Sequence, residues 1–122
     1  MHARFFMNVT TKKLLLDVRE AVESILQHTS HHTLADYSAD RFFRRAVERE
    51  FEIIGEALNR LEKIDPSTAS KISELRRIID FRNRIIHGYD TIDDKVVWGV
   101  VEKYLPTLKT EVDNLLPKTD ST

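Results

Sequence analysis

Apolar residues recur every three to four positions along nearly the whole chain, the spacing of one face of an α-helix, and only three glycines and three prolines interrupt its 122 residues. A chain patterned in this way buries its apolar stripes by packing helix on helix, so it reads as all-α. Four helices can be drawn. The first spans about Thr11 to Gln27, with Leu14, Leu15, Val18, Ala21, Val22, Ile25 and Leu26 on one side and Thr10 as its N-cap. After a polar connection from His28 to Tyr37, a second runs from about Ala39 to Ile64 on the stripe Phe43, Val47, Phe51, Ile54, Leu58 and Leu61. Asp65-Pro66-Ser67 punctuates, and a third helix continues to His87 with Gly88 as its C′ residue. Thr91 caps a fourth, which opens on Asp93 and Asp94, carries Val97, Val100, Val101, Tyr104, Leu105 and Leu108, and must kink or split at Pro106. Helices of this length with short connections predict an up-and-down bundle of four main helices.

Length and composition narrow the function. Residues 1–122 are most simply one domain, with residues 1–9 as a flexible extension in which either Met1 or Met7 serves as the start, and residues 117–122 as a frayed tail. No cysteine is present, which excludes disulfides and thiolate metal sites and fits a reducing cytoplasm. A formal net charge of −1 gives no global basic field, so any nucleic-acid contact must be local. No apolar run approaches a membrane span, and the opening residues are too few for a signal peptide; the expected location is cytoplasmic.

Against this regular background the stretch Arg82-Asn83-Arg84-Ile85-Ile86-His87-Gly88-Tyr89 stands out. Counted from Ser70 at 100° per residue, Ile72, Leu75, Ile78, Ile79, Ile85 and Ile86 form one stripe, and Arg82 falls in its middle. A guanidinium does not titrate away, so its burial calls for a carboxylate, a subunit interface or an anionic ligand. Glu50 lies in the stripe of the second helix, between Val47 and Ile54, which predicts a buried Glu50–Arg82 pair if the two helices are neighbours. Arg82 and His87 are five positions apart, about 140° on an ideal helix, and so do not share a face. They reach one phosphate only if His87 stands where the helix unwinds at Gly88, or if two subunits pool their copies across a symmetric interface. Cleaving RNA without a metal needs a base, an acid and a cation on the phosphorane, roles open to histidine and arginine.

The same stretch resembles the Arg-x4-His-x-Tyr signature of the HepT-like toxins, α-helical ribonucleases of the HEPN superfamily. Ile54-Gly55-Glu56-Ala57, Trp98 and Tyr104-Leu105-Pro106 are similar to the family's pattern in order and spacing, so the resemblance covers nearly the whole domain. It implies that Arg82 and His87 are the catalytic pair of a metal-independent endoribonuclease that needs no cofactor, with Asn83 at the polar position after the arginine. It also implies a homodimer whose active cleft lies between subunits, and transfer RNA as the substrate class. The implied partner is a small nucleotidyltransferase antitoxin of the MntA type, which transfers AMP groups from ATP onto the motif tyrosine, here Tyr89. Phosphate charge and a nucleoside beside His87 would repel an RNA backbone.

Each residue also has a plainer reading. His87 alone suits a helix C-terminus, and Tyr89 alone suits ring packing with a hydrogen-bonded hydroxyl. A Glu50–Arg82 pair is compatible with catalysis, since a supporting carboxylate can orient a guanidinium. Glu56 falls away from the apolar stripe, and only its place in Gly55-Glu56-Ala57 singles it out as a supporting residue. The arginines Arg41, Arg44, Arg45 and Arg49, and Arg76, Arg77 and Arg84, can meet phosphate, yet Glu48, Glu50 and Glu52 interleave the first group as on a solvated helix surface. His28 and His32 have a helical metal-ligand spacing, but no third ligand is evident and a polar helix end explains them, so no metal site is assigned. Phe42, Phe43 and Phe51 read as core or dimer surface, and Trp98 as a packing anchor. The alternative function is a non-catalytic helical module that serves as partner or substrate subunit of a nucleotidyltransferase. A nucleotide-binding domain is disfavoured because the chain has no glycine-rich phosphate loop.

Overall fold

The computed structural model describes residues 7–87 and 92–118. Seven helices follow one another among them: α1 (Val9–Thr29), α2 (Leu34–Ala39), α3 (Arg41–Ile64), α4 (Pro66–Ala69), α5 (Leu75–His87), α6 (Asp94–Lys103) and α7 (Leu105–Leu115). α1, α3, α5 and the α6–α7 pair are the four main members of the expected all-α bundle, with α1 on α3, α3 on α5 and α1 on α7. Neighbours run antiparallel. Thr11 near the start of α1 bonds Asp65 just past the end of α3, whereas His28 at the end of α1 stacks edge-on to Phe43 near the start of α3. Between α3 and α5, Phe51 meets Phe81 and Glu62 meets Arg76. The core is continuous: Leu15, Val18, Val22, Phe51, Ile54, Leu58, Leu61, Leu105 and Val112 are all fully buried.

The helix ends differ from expectation where short polar side chains outbid the apolar pattern. α1 begins earlier than Thr11, because Asn8 Oδ1 accepts from the amides of Thr10 at 2.7 Å and Thr11 at 3.3 Å; Asn8, not Thr10, is the cap. Residues 8 and 9, expected in a flexible extension, therefore belong to the start of α1. The connection from His28 to Tyr37 contains α2, closed by a reciprocal capping box between Thr33 and Asp36 and anchored by the buried Tyr37. Asp40 caps α3 through the amide of Phe43 at 3.2 Å, so that helix starts at Arg41, not Ala39.

The third predicted helix is two. α4 ends after a single turn, and the amide of Ser73 turns to the Glu111 carboxylate of α7 at 3.1 Å instead of continuing a helical ladder. From Leu75 the apolar phase holds for Ile78 and Ile79. Phe81, outside the expected stripe, is buried edge-on against Phe51 at 5.0 Å, while Ile86 in the last turn is 40% exposed. The fourth predicted helix splits at Tyr104, with Pro106 in the first turn of α7, and its N-cap is Asp93, whose carboxylate accepts from the amide of Lys95. Thr91, Gly88 and Tyr89 lie outside the described residues, as does the tail beyond Lys118. No helix among the described residues is long and apolar enough to cross a membrane.

Candidate active site

Arg82 sits in the seam between α3 and α5, and what allows it there is a glycine. A Cβ built on Gly55 would lie 2.3 Å from Cβ of Arg82 and 2.4 Å from its Cγ, distances no real methyl tolerates, and 3.1 Å from its Cδ, a tight contact. The arginine's aliphatic stem thus lies directly on the α3 backbone, filling the space a side chain at position 55 would take. Gly55 has no positive φ; its use is close approach alone, and in mid-helix it costs about 1 kcal/mol relative to alanine.

The far end of Arg82 is held loosely. Its Nη1 donates to Oδ1 of the adjacent Asn83 at 3.1 Å, and its Nε is buried without a partner among the described residues. The Glu50–Arg82 pair is not formed: among the described residues no carboxylate comes within ion-pair distance of this guanidinium. The reason is rotation about α3. Gly55 marks the face turned to α5, and Glu50, five positions earlier, points about 140° away from it. There it lines a cavity of about 370 Å³ against α1, with Ser24, His28, Phe42, Ala46 and Val47. Glu56 is exposed and makes no side-chain hydrogen bond or ion pair among the described residues, which leaves its role without a structural account.

His87 ends α5 and is exposed. The helix stays regular through it, so Arg82 and His87 of one chain are separated by about 140° around the axis and about 7.5 Å along it. The described helix does not unwind to bring them together. Arg84 and His87 in the last turn do face the negative end of the helix dipole, which favours both.

Most of the other arginines are already matched. Arg45 pairs with Glu48 and Arg49 with Glu52, each at 3.2 Å; Arg76 pairs with Glu62, and Arg77 with Glu74 at 3.0 Å while lying over the Tyr104 ring. Arg44 donates to the carbonyl of Ser38. The ion pairs are solvated surface pairs, whereas Arg41, Arg44, Arg60, Arg82 and Arg84 have no carboxylate partner among the described residues, and of these five Arg82 is the one with a buried, unbonded Nε. The aromatics divide likewise: Phe43 and Phe51 are core, Trp98 packs on Tyr37 and Phe43, and Phe42 is 87% exposed. His28 and His32 stack at 4.5 Å, with the Nδ1 of His32 2.8 Å from the carbonyl of His28. No group of three or more His, Asp or Glu among the described residues is disposed to hold a metal ion.

Sequence reasoning overlooked two parts of this arrangement, the seat that Gly55 makes and the Phe51–Phe81 contact beside it. The signal for the first was present, since a glycine in the middle of one long helix and an arginine in the stripe of the next are each anomalies that the other removes.

Comparison with known proteins points to one family. The family described as Ribonuclease HepT-like matches residues 18–115. A protein of Thermococcus cleftensis named "Probable ribonuclease HepT" is 31% identical, covering 89% of this chain and 98% of its own. A protein of Caldanaerobacter subterraneus subsp. tengcongensis, "Putative RNase TTE0752", is 28% identical over 89% of this chain and 96% of its own. A Methanocaldococcus jannaschii protein, "Gamma-glutamylcyclotransferase and putative RNase MJ0434", is 31% identical over 93% of this chain, which spans only 51% of that longer protein. No solved structure matches significantly.

Proposed function

The chain belongs to the HepT-like ribonuclease family, and from that membership and the seating of Arg82 we propose that it is a metal-independent endoribonuclease whose catalytic residues are Arg82 and His87. The observation that carries this reading is the guanidinium itself: its stem is packed on Gly55, and among the described residues its head is bonded only to Asn83 and no carboxylate neutralises it. A cation so held suits a phosphate that gains negative charge during reaction.

Because α5 keeps Arg82 and His87 on different faces, one copy does not present both to one phosphorus atom, and the cleft is assigned to a homodimer in which two copies of each converge. In that cleft a neutral His87 takes the proton of the ribose 2′-hydroxyl as its oxygen attacks phosphorus. The bond from phosphorus to the 5′-oxygen breaks, and a protonated His87 of the second copy gives that oxygen its proton. The products are a 2′,3′-cyclic phosphate and a 5′-hydroxyl, with Arg82 stabilising the phosphorane between them and Asn83 orienting its guanidinium.

Within a toxin–antitoxin pair, transfer RNA is the substrate class, and a nucleotidyltransferase of the MntA type silences the enzyme by transferring AMP to Tyr89. The experiment is incubation of the purified, unmodified protein with bulk tRNA, with and without a chelator. His87→Ala abolishes a cleavage that survives chelation while the helical circular dichroism is kept. Undiminished cleavage by that variant overturns the catalytic assignment, and no cleavage by the wild type at high concentration points instead to a non-catalytic partner subunit. AMP incorporation that persists in Tyr89→Phe would show the acceptor to be another residue.

A further inference from the structure

The catalytic proposal leaves open what keeps Arg82 aimed, given that the carboxylate expected to hold it points elsewhere. We propose that Gly55 is the positioning residue for Arg82: the bare α3 backbone at this point is a seat that locks the arginine stem and so sets where the guanidinium stands. This inference rests on the reading of Arg82 as the cation that meets the phosphorane.

Three observations carry it. The virtual Cβ of Gly55 overlaps Cβ and Cγ of Arg82 at 2.3 and 2.4 Å, so the overlap is with the root of the side chain, which cannot swing aside as a flexible tip would. The Nε of Arg82 is sealed from solvent although nothing among the described residues bonds to it, so backbone contact, not a hydrogen bond, holds the inner part of the guanidinium. The chain also provides its own control. Gly99, in the middle of α6, has nothing within 4 Å of a built Cβ, so closeness to a neighbour is specific to Gly55 and not a property of every helical glycine here.

A methyl at position 55 forces α3 and α5 apart locally or rotates Arg82 out of the seam. Either moves the guanidinium on the order of 1 Å, a misplacement that can cost about 100-fold in rate while substrate binding through other contacts persists.

The test compares Gly55→Ala, Gly99→Ala and Arg82→Ala in the full chain for RNA cleavage and for the arginine Nε–H resonance that Arg82→Ala removes. Gly55→Ala is expected to lower kcat by about 100-fold with KM changed less than about twofold, keep its helical circular dichroism, and lose the solvent protection of that resonance. Gly99→Ala is expected to match the wild type. Wild-type kcat in Gly55→Ala, with Arg82→Ala inactive, overturns the proposal and leaves the catalytic reading standing. Full activity in Arg82→Ala overturns the catalytic reading, and the Nε–H resonance then decides by itself whether Gly55 seats the arginine. Should Gly55→Ala not fold, Gly55→Ala combined with Arg82→Gly is expected to fold, because removing the stem frees the space the methyl takes; failure of that pair also overturns the proposal.

Discussion

A side chain in a helical seam is judged by what surrounds its polar atoms, and two residues of this chain are judged differently on that ground. Arg82 keeps a buried Nε without a partner among the described residues, while its Nη1 donates to Asn83 and the residue as a whole is partly exposed, a disposition consistent with a working cation. Tyr37 is fully buried among Phe43 and Trp98, and its hydroxyl has no partner among the described residues. Burial, and after it the nearby charges of Glu48 and Asp94, push the phenol well above its ordinary range, so it is neutral at about pH 7. An unbonded buried hydroxyl contributes nothing to offset its lost hydration. Tyr37→Phe is therefore expected to leave stability unchanged or raise it by about 1 kcal/mol, read as the thermal midpoint. A loss of that size would mean that the hydroxyl is bonded after all.

The elements are bounded by small polar devices, and the junction of α3 and α4 shows how much one carboxylate can join. Asp65 ends α3, accepts from the amide and hydroxyl of Thr68 at 3.1 and 2.8 Å to start α4, and accepts from Thr11 of α1 at 3.0 Å. The Thr68 hydroxyl first, then its amide, hold the Asp65 carboxyl below the usual aspartate range. Stability from a depressed carboxylate is fully present above the unfolded value of about 3.9 and is lost as pH falls through the lower folded value. The advantage of the wild type over Asp65→Asn in urea midpoint should thus be present at about pH 6 and shrink below about pH 4; an advantage that does not change with pH would show that ionisation is irrelevant to this junction.

At the scale of the molecule, helix periodicity made the four main helices predictable, and the bundle follows from burying their stripes. It did not reveal α2, the break between α4 and α5, or the exposure of Ile86, because each depends on a partner distant in sequence or on where a helix ends. The proposed dimer belongs to this scale as well. If the cleft needs two copies, specific activity falls on dilution through the concentration at which sedimentation shows the dimer dissociating; constant specific activity in the monomer would rule out a shared cleft.

By itself the sequence determined the helical class, most of the core stripes and the motif that groups Arg82, His87 and Tyr89, because periodicity and motif spacing are local properties of the chain; the burial of Phe81 and the exposure of Ile86 were not among them. Only the tertiary structure decided what Arg82 touches. Rotation about α3 turns Glu50 toward α1 and Gly55 toward α5, and that choice depends on how two helices pack, which neither helix encodes alone. The core arginine is consequently seated on a missing side chain instead of being paired with a charge.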